Sequence, residues 1–312
     1  MKKYEVFGYI MSCNTKLPLP EYEGAKEAEL EIWLEPKEQA VPAEYCLKSE
    51  FQIEENGPMD KCLYYEHDSE KWICYQNVCD ICIVAQKNRI LCYYRNPDNL
   101  QLAILYLLSD VISTWLRTAG WYVFHAAALN INDQNIMLCA DKGSGKSTLL
   151  MSLCNCGGRI LSDDLTAVCS NGEKTIVRSS FPSVKLHPLQ FGLSEGLICA
   201  YEPVLKNSAK KNCTLIPEAF IPGDHPLDCV YHIHPVSVRQ ELSFRKLSPM
   251  EGFVTLLKSI FSGTTSSTDE LINYQKLIRK IVSTMPVYCL DIPRNLMLLP
   301  DIVELVCQNS MK

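Results

Sequence analysis

A glycine-rich loop between an apolar strand and a helix constrains this 312-residue chain more than any other feature. Ile136-Met-Leu-Cys-Ala140 reads as a short buried strand, and Asp141-Lys-Gly-Ser-Gly-Lys-Ser-Thr148 follows as a tight turn ending in Lys-Ser. Such a loop turns consecutive backbone N–H groups toward a polyphosphate; its lysine reaches the terminal phosphates and its hydroxyl can ligate Mg²⁺. Lys142, Gly143, Ser144, Gly145, Lys146, Ser147 and Thr148 are therefore the candidate ATP-binding set. Leu149, Leu150, Leu153 and Cys154 recur at helical spacing, and Gly157-Gly158 ends that helix because glycine takes the left-handed conformation at little cost. Arg159-Ile-Leu-Ser-Asp163-Asp164 comes next, a buried strand delivering two carboxylates. The pattern G-x-x-x-x-G-K-[ST] asks for glycine where Ala140 stands, and a methyl group there is expected to crowd the turn.

The length allows a large core and two domains, and 47% hydrophobic with 21% charged residues describes a globular protein. A net charge of −6 without a long Lys/Arg run argues against nucleic acid or an anionic membrane as partner. Met1-Lys-Lys-Tyr-Glu-Val has the basic start of a signal peptide but no uninterrupted apolar core behind it. The most apolar stretch, residues 100–129, carries Asp110 and Arg117 and reads as a buried helix and strand rather than a span. The 16 cysteines, with no secretion signal, are expected to be reduced, mostly buried thiols in a cytoplasmic protein. Cys79-Asp-Ile-Cys82 has metal-ligand spacing, yet it sits in a strand-like run and no second pair completes a site.

Short β-like runs are expected over 4–12, 27–35, 51–55, 61–66, 71–76, 80–86 and 89–95, with turns such as Asn56-Gly-Pro58 and His67-Asp-Ser69 between them. In the second of these Leu30, Ile32 and Leu34 alternate with glutamates, giving one dry face and one wet. Residues 1–96 are read as a small β-rich domain and 97–312 as a second domain. Pro97-Asp98 opens a helix that Gly120 closes, residues 121–129 form one strand, and Asn171-Gly172 marks a hairpin between 165–169 and 175–178. Residues 179–235 are broken by prolines and glycines and resist assignment; a basic loop runs over 206–212. Ser248-Pro-Met-Glu251 and Ser267-Thr-Asp-Glu270 are capping boxes that start helices to about 262 and 284, before a strand at 287–290 and a closing helix over 300–308.

Most phosphate-loop proteins place their metal-binding aspartate well downstream; here the acid pair stands on the very next strand, and His125 lies on the strand two before the loop. This order resembles the HPr kinase/phosphorylase family, through His125-Ala126, Lys142-Gly-Ser-Gly-Lys-Ser147 and Ser162-Asp-Asp164. Outside 121–166 the chain is similar to stand-alone HPr-kinase-like proteins, some of which accompany peptide-maturation enzymes. The resemblance implies an α/β, phosphoenolpyruvate-carboxykinase-like P-loop fold, ATP with Mg²⁺, and transfer to a serine hydroxyl. It implies that Lys146 neutralises the transferring phosphoryl group, that Ser147 holds the metal, and that Asp163 orients the acceptor hydroxyl or binds the metal through water. Asp164 would then accept the proton of the acceptor hydroxyl, with His125 beside the carboxylates. Phosphoryl transfer needs positioning and charge neutralisation more than covalent help, which suits these residues. Ala140 and Lys142 replace the family's glycine and serine, and its Glu-x-Arg-Gly segment has no counterpart near Arg178 to Lys185. HPr itself is thus a poor acceptor, and a peptide or small protein is expected, on a chain free to form a homo-oligomer. A small-molecule kinase and a nucleotide-binding regulator without catalysis stay open beside this reading.

Overall fold

The computed structural model describes residues 1–38, 41–53, 60–68, 70–206, 208–261 and 268–309. Two compact units emerge: Met1–Gly120 with Pro203–Ala209, and Trp121–Glu202 with Lys210–Phe261 and the residues from Thr268 onward.

The first unit is an eight-stranded sheet of β1 (Lys2–Val6), β2 (Tyr9–Cys13), β3 (Leu30–Pro36), β4 (Cys46–Ile53), β5 (Asp60–His67), β6 (Glu70–Tyr75), β7 (Cys79–Val84) and β8 (Arg89–Tyr94). Their order is β1-β2-β3-β8-β7-β6-β5-β4. The single strand expected over 4–12 is a hairpin, because Phe7 and Gly8 both take positive φ (51° and 72°), the pairing a two-residue primed turn requires. The alternation in β3 places Leu30, Ile32 and Leu34 in the core. Cys79 and Cys82, three apart on β7, point to opposite faces of the sheet and cannot chelate one ion together.

Helices α1 (Leu100–Tyr106) and α2 (Ile112–Thr118) are joined by a π-helical turn at Leu107–Val111. They group with this sheet, whereas the domain boundary expected at 96/97 assigned them to the second domain. The physical reason is a set of contacts with the strands. Tyr106 stacks on Tyr75 at 3.9 Å, the Tyr75 hydroxyl donates to Asp110 Oδ2 at 2.8 Å, and Trp115 meets Tyr9 edge-on at 4.8 Å. The run Pro97–Thr118 is long and apolar enough to cross a membrane by length and composition alone, although 56% of its apolar window is buried within the protein. Residues 54–55 of an expected strand, the turn Asn56-Gly-Pro58, Ser69, Asn207 of the basic loop, the helix end at Ser262 and Ser267 of the second capping box lie outside the described residues.

The second unit is mixed α/β. In chain order it holds β9 (Tyr122–Phe124), β10 (Ala126–Ile131), β11 (Gln134–Ala140), α3 (Lys146–Asn155), β12 (Arg159–Ser162), β13 (Thr166–Asn171), β14 (Lys174–Arg178) and β15 (Ser183–Leu186). Then follow β16 (Ile198–Pro203), β17 (Lys211–Leu215), β18 (Asp224–Pro226), β19 (Cys229–Val236), β20 (Ser243–Lys246), α4 (Pro249–Lys258), α5 (Thr268–Thr284), β21 (Val287–Pro293) and α6 (Leu299–Asn309). The central sheet runs β12-β10-β11-β19-β21-β20, flanked by a four-stranded sheet β18-β14-β13-β9 and a three-stranded one β15-β17-β16. Leu149, Leu150 and Leu153 of α3 and Ile302, Val303 and Val306 of α6 cover one face of the central sheet. Leu256 of α4 and Tyr274, Leu277, Ile278 and Ile281 of α5 cover the other.

Two local features were not expected. The strand predicted over 121–129 breaks at His125, and its halves enter different sheets. The Tyr274 hydroxyl holds the first half in place by donating to the Val123 carbonyl at 3.0 Å and accepting from its N–H at 2.9 Å. Strand β19 lies inside the segment that resisted assignment but for its last residue, and Val230, Tyr231 and Ile233 are buried on its two faces. The capping box at Ser248 forms, with Ser248 Oγ accepting from the Glu251 N–H at 3.3 Å and Glu251 Oε2 accepting from the Ser248 N–H at 2.9 Å.

Candidate functional site

Strand direction gathers the candidate residues at one edge. β11 pairs antiparallel with β10, and β10 antiparallel with β12, so β11 and β12 run the same way. β19 and β21 are parallel to β11. Four strands therefore end at the same edge, where ligands of open α/β sheets bind. The glycine loop follows β11, Asp163 and Asp164 follow β12, and the antiparallel β10 begins there, just after His125.

The loop owes its shape to two glycines. Gly143 and Gly145 take φ of 81° and 91°, a region that side chains rarely adopt, and no atom of the described residues crowds their open side within 4 Å. Ala140, by contrast, ends β11 opposite Ile233 with its methyl group in the core, so the crowding expected of it does not arise. Helix α3 starts at Lys146, directing its N-terminal N–H groups toward the loop. Lys142, Gly143 and Gly145 are exposed, Ser144, Ser147 and Thr148 half-buried, and Lys146 is only 7% exposed. Thr148 Oγ1 accepts a hydrogen bond from Gln190 Nε2 at 2.8 Å, which ties the loop to the chain after β15.

Around Lys146 the charges are buried and incompletely matched. Among the described residues Lys146 Nζ has no hydrogen-bond partner; Asp164 Oδ1 stands 3.9 Å away, too far for one. Asp163 is 6% exposed, its Oδ2 accepts the Lys185 N–H at 3.3 Å, and its Oδ1 is buried with no hydrogen-bond partner among the described residues. Lys185 Nζ lies 3.5 Å from Asp164 Oδ2. Asp164 itself takes φ of 63°, a left-handed conformation that aspartate tolerates better than most residues. A buried cation and a buried carboxylate oxygen without partners are costly, and both fit an anionic ligand carrying a metal ion. Polyphosphate with Mg²⁺ matches that donor set.

Proton affinities diverge within the pair. Burial and the neighbouring Asp164 charge push Asp163 up to about 6. Asp164 is also penalised by burial, but the Lys185 and Lys146 ammonium groups outweigh this and hold it well below the usual carboxylate range, with Lys210 of the basic loop adding to them. Burial and the Lys146 charge lower His125 to about 4, so its ring is neutral near pH 7. The His125 N–H donates to the Ser259 carbonyl at 2.7 Å and its ring stacks on Phe261.

Asp163 supplies a stability test. Its folded pKa exceeds the unfolded value near 3.9, so the folded protein binds the extra proton between about pH 4 and pH 6. Stability contributed by that proton is present below this window and lost as pH rises through it. Asp163→Asn is expected to raise the melting temperature by a few degrees at about pH 7.5 and to change it little at about pH 4. Thermal denaturation at both values checks this; an equal shift at both would contradict it.

A cavity of ≈ 260 Å³ opens beside the loop, on the α3 and α6 face of the sheet. Gly143, Gly145 and Thr148 form one wall, Pro235 and the turn from Ile292 to Leu296 the other. This wall and the residues Lys185 and Gln190 escaped sequence reasoning. The signal for Lys185 was slight: one charged residue between Val184 and Leu186, whose buried alternation marks a strand.

No protein-family model matches the chain, and no curated protein matches it. Among solved structures, the Hpr(Ser) kinase/phosphatase from Coxiella burnetii is similar at a TM-score of 0.33 and 12% sequence identity, covering 61% of this chain and 96% of that one. The likeness is distant.

Proposed function

We propose that this chain is a cytoplasmic Mg²⁺·ATP-dependent kinase whose acceptor is a serine hydroxyl on a peptide or small protein, built on a phosphoenolpyruvate-carboxykinase-like P-loop domain. The observation that carries this reading is that Lys146 Nζ and Asp163 Oδ1, both buried where a glycine loop and a helix N-terminus converge, have no hydrogen-bond partner among the described residues. ATP supplies the phosphoryl group, and Mg²⁺ spreads the charge of its terminal oxygens. The loop N–H groups from Gly143 to Ser147 and the Lys146 ammonium hold the polyphosphate. Ser147 and Asp163 hold the metal. The apolar wall of Pro235, Ile292 and Leu296 offers the base a dry surface in the cavity beside the loop.

Asp164 takes the proton of the acceptor hydroxyl. It is 34% exposed, whereas Asp163 is enclosed, so only Asp164 meets an incoming substrate. Its low proton affinity belongs to the protein without nucleotide. Once phosphate oxygens engage Lys146 and Lys185, those charges no longer hold Asp164 down, and its basicity rises as the site fills. Neutral His125 lines the same edge and orients the carboxylate or the acceptor without adding a positive charge. The net charge of −6 supports neither a nucleic acid nor an anionic membrane as partner.

Incubation with γ-labelled ATP, Mg²⁺ and a pool of small proteins and peptides, followed by mass spectrometry, tests the reading. Phosphoserine in a polypeptide is expected. Label in a sugar or nucleoside would replace the acceptor class. Bound ATP with no labelled product would favour a nucleotide-binding regulator, the reading that the missing counterpart of the Glu-x-Arg-Gly segment supports.

A further inference from the structure

We propose that His234, Cys289 and Asp291 form a zinc site at the carboxyl-terminal edge of the central sheet, on the face opposite the cavity beside the loop. β19 and β21 are parallel neighbours in which His232 stands across from Cys289 and His234 across from Asp291. Residues two apart on a strand share a face, so these four side chains form a two-by-two patch. The patch belongs to the face of Val230 and Cys139, whereas Pro235 and Ile292 of the cavity belong to the other.

One ligand atom from each of His234, Cys289 and Asp291 lies within 4.8 Å of the other two. His234 Nδ1 is 2.8 Å from Asp291 Oδ1, and Cys289 Sγ is 3.6 Å from the same oxygen. Tetrahedral zinc, with bonds of roughly 2.0–2.3 Å, sets its ligand atoms about 3.3–3.7 Å apart, so a small shift seats the ion. Imidazole, thiolate and carboxylate together suit zinc, while Mg²⁺ and Ca²⁺ take oxygen ligands. Ser243 Oγ donates to Asp291 Oδ2 at 2.7 Å, the kind of outer hydrogen bond that fixes a ligating carboxylate. His234 is 54% exposed, which gives the ion a path from solvent and leaves the fourth position open to water.

A second observation points the same way. His232 Nδ1 is buried with no hydrogen-bond partner among the described residues, and its ring stacks on His234 at 6.2 Å. Of the cations nearby, Arg245, across from Cys289, is occupied by Glu251 at 2.9 Å. Asp141 and Lys258 act on His232 with opposite charge, Asp141 the more strongly.

The test uses the full chain, reduced and stripped of metal with a chelator, and titrated with Co²⁺. A thiolate-to-cobalt charge-transfer band saturating at one equivalent and displaced by zinc is expected. Cys289→Ser should abolish the band, and His234→Asn should weaken cobalt binding by more than about tenfold, since even outer partners of ligands cost that much. Cys156→Ser, which removes an exposed thiol elsewhere, should change nothing. No band, or a band that persists unchanged in both the Cys289 and His234 variants, would overturn the proposal. The half-exposed His234 keeps the test decisive if the buried Cys289 variant fails to fold.

Discussion

Lys146→Ala is expected to weaken Mg²⁺·ATP binding by about ten- to a hundredfold, the loss of one charge-assisted contact of roughly 1.5–3 kcal/mol. The side chain is 7% exposed, and among the described residues no atom within hydrogen-bond reach satisfies its ammonium. Removing the ammonium relieves one buried charge but takes a countercharge from Asp164, so the titration is run where thermal denaturation shows the variant folded. Lost affinity then cannot be ascribed to lost structure. The same variant should let the His125 pKa climb from about 4, because the Lys146 charge is the second cause of its depression after burial. Calorimetry gives the affinity, and an NMR titration of the imidazole gives the pKa. Unchanged ATP affinity in the alanine variant would remove the loop from the site.

Asp164→Asn is expected to leave ATP affinity nearly intact while transfer falls by roughly two to four orders of magnitude. Asparagine keeps the shape and loses the basicity. It also removes a carboxylate that repels phosphate, which keeps the effect on binding small. The strained φ of 63° is preserved, since asparagine tolerates the left-handed region as aspartate does. The pH profile separates this role from a structural one. kcat, which reports the loaded site where the lysines no longer hold Asp164 down, should rise with pH as the base loses its proton, and that limb should vanish in the asparagine variant. A variant that transfers phosphate at the wild-type rate would shift the base role to Asp163 or His125.

Parts of this architecture were legible in the chain because their causes are local. The alternating β3, the capping box at Ser248 and the hairpin at Asn171-Gly172 each depend on residues a few positions apart. The glycine loop is legible for the same reason, since two positive φ values and a following helix are written into consecutive residues. Strand β19 was not, because a strand buried on both faces shows no alternation, and Pro235 with two histidines disguises its end. The break at His125 depends on distant Tyr274, which pins the preceding strand. Lys185 joins Asp164 only once β15 has folded beside β12, and the cavity wall from Ile292 to Leu296 reaches the loop through the sheet order. Nor could spacing reveal that Asp163 and Asp164 differ in proton affinity, which follows from burial and from two lysines.

Calorimetric titration of ATP into the Asp164→Asn protein, with and without Mg²⁺, probes the central claim most directly because this variant binds nucleotide without consuming it. One saturating site that weakens when Mg²⁺ is withheld, and weakens again when Lys146→Ala is added, is the expected result. No binding heat, or binding indifferent to both the metal and Lys146, would contradict the account.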